Sequence, residues 1–297
     1  MRFSVATAFL PPEELIPIAR AADERGFHAM ALSDHVVNLE TLRTPYPYTD
    51  DGQRRWEPFT PWVDPWVTVG ALGAVTERMR FFTNVYVLPM RDPFTVAKTV
   101  ATASVLTGGR VALGVGMGWC EEEFELLGEP FRGRGKRADE MLALLAELWT
   151  EGWHAHQGEF YDVPRLEMTP VPPGPVPIYV GGMSDAAARR AARHDGWISD
   201  LISTDVAADF RRRINDERDR LGRSDVDFSM IVSLDDAATV DDYRRAESVG
   251  VTDILTMPWV FYGGFDLGLT EKIDGLHRFA DDVLVHLIDP ADHHDGG

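Results

Sequence analysis

Hydrophobic positions along the chain switch repeatedly between two periods. Residues 3–9 form a short apolar run that Pro11-Pro12 breaks. Residues 13–25 then place Leu15, Ile16, Ile18, Ala19 and Ala22 at helical spacing before Gly26. The same exchange recurs to the end of the chain. Strand-like runs fall at residues 29–32, 79–88, 111–115, 176–180, 197–201, 228–234 and 253–257. Helix-like stretches fall at 65–78, 93–106, 135–150, 184–194, 206–221, 240–249 and, last, roughly 270–288. Strand followed by helix about eight times is what a closed parallel barrel requires, so the pattern predicts an α/β fold, a single (β/α)8 TIM barrel. A doubly wound open sheet is the alternative.

Two stretches break the alternation. Residues 36–63 are rich in Pro, Tyr, Trp and Asp and read as a long loop after the second strand. Loops of that length in compact proteins are usually functional or disordered. Residues 151–176 are polar, aromatic and proline-rich, and read as an insertion after the fourth strand that contains a small hairpin. No internal repeat or low-complexity linker divides the chain, so residues 1–290 are expected to form one domain and 291–297 a disordered polar tail.

Composition narrows the function classes. The 297 residues suit one large domain, and the apolar fraction of 44% allows a sizeable core. No apolar run reaches the ~18 residues of a membrane helix, and the N-terminus lacks signal-peptide features, so a cytoplasmic protein is expected. Cys120 is the one cysteine, which rules out an intrachain disulfide and a cysteine-based zinc site. The net charge of −19 argues against nucleic-acid and anionic-membrane partners. It leaves room for a small anionic ligand, because a local pocket can oppose the global sign. Lysine occurs only at 98, 136 and 272, all in or leading into predicted helices, which disfavours a Schiff-base barrel enzyme. His154-Ala155-His156 has metal-ligand spacing, but it lies outside the barrel strands without a carboxylate motif, and no metal is predicted. The run Arg211-Arg212-Arg213 alternates with acids through Arg220 and reads as a solvated helix face.

In a parallel barrel, chemistry sits at the C-terminal strand ends. After the second strand comes Ser33-Asp34-His35, a pair able to orient a ligand, move a proton or bind metal, or else to cap the loop and bond a neighbour. After the fourth comes Gly114-Val115-Gly116-Met117-Gly118-Trp119. Its glycines allow close backbone approach, and its N–H groups can cradle phosphate, although the spacing is not the dinucleotide fingerprint. After the fifth comes Gly181-Gly182-Met183-Ser184-Asp185, a capped helix start or a phosphate site. On the third strand, Thr83-Asn84-Val85 precedes Leu88-Pro89-Met90-Arg91-Asp92-Pro93, where Arg91 faces an anion or pairs with an acidic neighbour.

Taken in order, these pieces resemble one family. Ser33-Asp34-His35, residues 88–93, Ala97-Lys98, Leu106-Thr107-Gly108-Gly109-Arg110, residues 114–119, Glu123-Phe124, Arg134-Gly135, Glu140, Leu148-Trp149 and Tyr179-Val180-Gly181-Gly182 together resemble the bacterial luciferase-like superfamily of flavin-dependent barrels. Within it, they resemble the branch that uses the deazaflavin coenzyme F420. The match covers residues 1 to about 200, and the remainder matches by element order.

The resemblance implies an oxidoreductase with its cofactor ring at the barrel mouth. It implies a non-proline cis peptide at Asn84–Val85, forming a bulge behind the ring. It implies that Gly116, Met117, Gly118, Gly181, Gly182, Met183 and Ser184 hold the phosphate-bearing tail. Asp34 would contact the deazaflavin ring or its substituents, and His35 would lie near the reacting carbon as proton donor or acceptor. A homodimer is common in the family.

One departure bears on substrate. In the glucose-6-phosphate dehydrogenases of this branch, an acidic proton donor follows the third glycine of the first turn. Trp119 stands there in this chain, so a sugar phosphate is not expected. Trp119 and Trp62 suit an apolar or conjugated substrate, while Trp56, Phe59 and Trp66 either extend that wall or pack as core. The alternatives left open are an FMN-dependent monooxygenase using oxygen and a partner reductase, and a non-catalytic flavin-binding barrel.

Overall fold

The structure, a computed structural model, describes residues 1–287. The predicted tail at 291–297 lies outside the described residues. The strands are β1 (Arg2–Ala6), β2 (Ala29–Leu32), β3 (Arg80–Thr83), β4 (Tyr86–Val87), β5 (Val111–Gly116), β6 (His154–Gln157), β7 (Asp162–Leu166), β8 (Ile178–Gly181), β9 (Gly196–Ile202), β10 (Ser229–Leu234) and β11 (Asp253–Thr256). Parallel pairing runs β3-β2-β1-β11-β10-β9-β8-β5, and β5 returns to β3. This closes the (β/α)8 barrel, with β4 continuing the third barrel strand beside β5. The two insertions lie where the sequence places them, after β2 and after β5, and β6 and β7 form the antiparallel hairpin of the second.

Period-two alternation builds two cores from the same strands. Ala29, Ala31, Phe82, Ala112, Ile198, Ile231 and Leu255 fill the barrel interior, small residues beside large. Met30, Leu32, Phe81, Leu113, Val180 and Val232 point outward against the helices. The helices are α1 (Leu15–Glu24), α2 (Pro65–Gly73), α3 (Pro93–Leu106), α4 (Glu121–Leu127), α5 (Arg134–Leu148), α6 (Asp185–Ala191), α7 (Thr204–Arg220), α8 (Val240–Ser248), α9 (Val260–Gly263) and α10 (Leu269–Asp282). Several starts carry the expected chemistry. The Asp92 carboxylate accepts from Thr95 N–H before Pro93, and Ser184 caps α6 through Ala187 N–H.

The structure departs from the sequence pattern at several places, and the predicted helix 65–78 already ends at Gly73. The first strand stops at Ala6, and Phe9 adopts a positive φ of 68°. The predicted strand 79–88 is split, because the Asn84–Val85 peptide is cis and breaks the ladder between β3 and β4. Helix α4 was not expected at all. It has seven residues and too few apolar positions to show a helical period.

Candidate active site

Asp34 and His35 leave β2 side by side but face different partners. The Asp34 carboxylate is buried, accepting from Arg91 Nη2 at 2.7 Å and from Val87 N–H at 2.9 Å. Burial pushes its pKa up, against the pull of the Arg91 guanidinium and the Val87 N–H. Both oxygens are thus held by the protein, and the pair ties the end of β2 to the segment following the cis bond. Arg91 takes the ion-pair alternative, and its guanidinium also lies 4.5 Å from the Tyr86 ring centroid.

His35 is the centre of an aromatic box. Its ring centroid lies 4.9 Å from those of Trp56 and Trp62 and 6.1 Å from that of Trp119. Tyr46 closes the box, 5.1 Å from Trp119 and 5.4 Å from Trp56. Trp62 carries a buried indole N–H with no partner among the described residues. Trp66 is core, 3% exposed against Tyr86, and Phe59 points to solvent, so neither lines this box. Behind His35, Nδ1 stands 2.9 Å from Oε2 of buried Glu123. A carboxylate accepts, so this contact places the ring proton on Nδ1 and leaves Nε2 for exchange with a ligand.

Helix α4 anchors the long loop that carries the box. Glu123 also accepts from the N–H groups of Val36 at 3.0 Å and Val37 at 3.4 Å. Glu122 accepts from those of Arg43 and Thr44. Burial raises the Glu122 pKa, but these hydrogen bonds outweigh it and hold the carboxyl down at about 2. At the far end of the loop, Arg55 makes two 2.8 Å bonds to Asp200 on β9. In the sequence Glu123 stands out only as part of the Glu123-Phe124 element of the family resemblance. Its signal is the run Glu121-Glu122-Glu123 shortly after a glycine turn, and its partners His35, Val36 and Val37 are invisible to any local pattern because they lie 88, 87 and 86 residues upstream.

The two glycine turns flank the bulge at Asn84–Val85. A Cβ on Gly116 would lie 2.4 Å from Val85 Cγ2, and one on Gly181 would lie 2.6 Å from Val85 Cγ1. Their missing side chains make room for Val85 of the same chain. Gly118 and Gly182 have φ of +75° and +116°, which favours glycine. The carbonyls of Met117 and Gly118 accept from Arg134 Nε at 3.0 and 3.1 Å, and that of Gly182 accepts from Trp197 Nε1 at 2.9 Å. The N–H groups of Met117, Gly118, Gly182 and Met183 have no acceptor among the described residues. Carbonyls drawn into the protein with free N–H groups beside them are what an anionic oxygen requires.

His154 and His156 sit on the β6 strand of the hairpin. His156 Nδ1 lies 3.2 Å from Glu147. No group of three or more His, Cys, Asp or Glu side chains among the described residues is placed to hold a metal ion. No helix among them is long and apolar enough to cross a membrane.

Comparison with known proteins gives a consistent picture. The family model described as luciferase-like monooxygenase matches residues 2–259. An uncharacterized protein of Mycobacterium tuberculosis is 40% identical over 288 residues, covering 96% of this chain and 99% of that one. An F420-dependent glucose-6-phosphate dehydrogenase of Nakamurella multipartita is 35% identical over 192 residues, covering 63% of this chain and 52% of that one. The crystal structure of monooxygenase RslO1 from Streptomyces bottropensis superposes with a TM-score of 0.75 at 19% identity, covering 97% of this chain and 100% of that one.

Proposed function

The chain belongs to the luciferase-like monooxygenase family, and on that premise we propose that this oxidoreductase uses coenzyme F420 to exchange a hydride with a small apolar or conjugated substrate. The observation that carries the proposal is His35. Its ring is held by Glu123 and enclosed by Trp56, Trp62 and Trp119 at the C-terminal ends of the strands. The free N–H groups at Met117, Gly118, Gly182 and Met183, with Ser184 beside them, fit the phosphate of such a cofactor. When bound, the deazaflavin supplies the hydride-transfer chemistry.

The protein's part is then orientation, exclusion of water and one proton. The indole faces offer a dry, flat enclosure for an unsaturated or carbonyl-bearing molecule. Nε2 of His35 gives or takes the proton at the substrate heteroatom. Trp119 at the position of the acidic donor turns the site away from a sugar phosphate, and the Nakamurella relative's named substrate does not transfer here.

The test is a pair of titrations. Fluorescence quenching of purified protein with F420 and with FMN reads cofactor choice directly. Saturable F420 binding with weak or absent FMN binding supports the proposal. Tight FMN binding without F420 binding overturns it in favour of an oxygen-using monooxygenase.

A further inference from the structure

Helix α7 does not present one solvated charged face. Arg212 and Arg220 are exposed and pair with Asp209 and Glu217. Arg211 and Arg218, two helical turns apart, share another face with Asn215 between them. Their guanidinium carbons lie 5.5 and 4.6 Å from the centroid of the Phe228 ring. They line a cavity of about 450 Å³, and Arg223, in the loop that follows, lies close to Arg218.

Three buried nitrogens of this arginine cluster are not satisfied. Arg218 is 2% exposed, and Nη2 donates to the Val226 carbonyl, but Nη1 has no partner among the described residues. The same holds for Nη1 of Arg211 and Nε of Arg223. Three carboxylates, Asp219, Asp225 and Asp227, stand on exposed residues around the same cavity. Asp219 accepts from Ser224 Oγ, and none of the three aspartates forms an ion pair with these arginines. Burial, with Arg211 and Arg223 close by, pulls the Arg218 pKa down against the opposing charges of Asp195 and Asp219. A buried guanidinium with unmet donors is costly unless an acceptor arrives. The acceptor that fits several planar N–H forks has multiple anionic oxygens.

Phe228 leads into β10 at its N-terminal end, so the cavity opens on the barrel face opposite His35 and the glycine turns. We propose that this cavity binds a phosphate-class oxyanion, either the free ion or a terminal phosphomonoester. The site is separate from the cofactor site and does not depend on the proposed activity.

The experiment titrates the full chain with inorganic phosphate at ionic strength held constant with sodium chloride, reading Tm and binding heat. A saturable rise in Tm is expected. Arg211→Gln and Arg211→Met each remove a half-buried side chain that lines the cavity and should keep the fold. Each is expected to weaken phosphate binding at least about tenfold, the equivalent of one charge-assisted hydrogen bond. Ser184→Ala at the second glycine turn should leave this binding unchanged. Glycerol phosphate binding as tightly as phosphate identifies a terminal ester as a ligand, and its failure with phosphate still bound identifies the free ion. A Tm rise no larger than that given by chloride, or one kept in both arginine variants, overturns the proposal. So does phosphate binding lost in Ser184→Ala but not in the arginine variants.

Discussion

One carboxylate of Glu123 binds both the ring of His35 and the backbone that carries it. Oε2 stands 2.9 Å from Nδ1, while Oε1 accepts from Val36 N–H at 3.0 Å. Helix α4, which supplies Glu123, starts just after the glycine turn at 116–118. The proposed proton-transfer group and the proposed phosphate cradle are therefore braced by one short segment.

His35 is nevertheless separable from the cradle, because removing its ring leaves Glu123 bound to the loop backbone at Val36 and Val37. His35→Ala should lower turnover by roughly 100-fold or more, the usual range for losing a general acid or base, and leave F420 affinity within a few-fold. Glu123→Gln keeps the shape but offers the ring both an acceptor and a donor. In ¹⁵N NMR the wild-type His35 should carry its proton on Nδ1, and the variant should show a mixed tautomer. An Nε2–H tautomer in the wild type refutes the role given to Glu123.

Asp34 is predicted to act first on stability. Asp34→Asn leaves the half-buried Arg91 guanidinium beside a neutral amide, a change expected to cost ~2–4 kcal/mol, somewhat below the ~3–5 kcal/mol for breaking a fully buried pair. Removing both charges in Asp34→Asn/Arg91→Met should recover much of the loss. Urea unfolding at pH 7 reads both. A single variant within about 0.5 kcal/mol of wild type, with cofactor binding weakened, would instead return Asp34 to the ring-contacting role implied by the family resemblance.

The fold was legible where chemistry is local. Asp92 and Pro93 mark the start of α3, and alternating apolar residues mark β2 and β10. The site was legible only in part. His35, Trp62 and Trp119 could be named as candidates, but their meeting depends on a loop folded back by Glu122 and Glu123, and no periodicity encodes that. Gly116 and Gly181 looked like clearance for a ligand, yet Val85 fills the space, because a bulge on a neighbouring strand reaches between them. Arg211 and Arg212 are adjacent in sequence and opposite in role. An alternating charge pattern cannot tell which side chain a later loop will cover.

Glu122 should give the long loop an acid-sensitive anchor. Its folded pKa of about 2 lies below the ordinary 4.5, so its contribution is fully present above about pH 4.5. It is lost progressively as pH falls toward 2. Glu122→Gln should lower stability by ~1–3 kcal/mol at pH 7, the cost of weakening buried charge-assisted bonds to two N–H groups. The gap between variant and wild type should narrow as pH falls from 4.5 toward 2, measured by urea denaturation at each pH. A gap that stays constant across that range means the carboxylate charge is not what holds Arg43 and Thr44.

Val85 and the glycines beside it offer the sharpest test of the barrel mouth. In Gly116→Ala the new methyl would sit 2.4 Å from Val85 Cγ2, a contact that must be relieved by moving a stiff side chain. Overpacking of this kind costs ~1–3 kcal/mol. Val85→Ala removes the obstructing methyls, so the double variant should be more stable than the sum of the two single changes by ~1 kcal/mol or more. Gly114→Ala serves as the control. Its Cβ would lie 1.8 Å from the Thr83 carbonyl oxygen, which is backbone, and Val85→Ala cannot relieve it. If the Gly116 and Val85 changes prove additive, Val85 does not occupy the groove between the two glycine turns. The glycine at 116 would then be explained by clearance for a ligand.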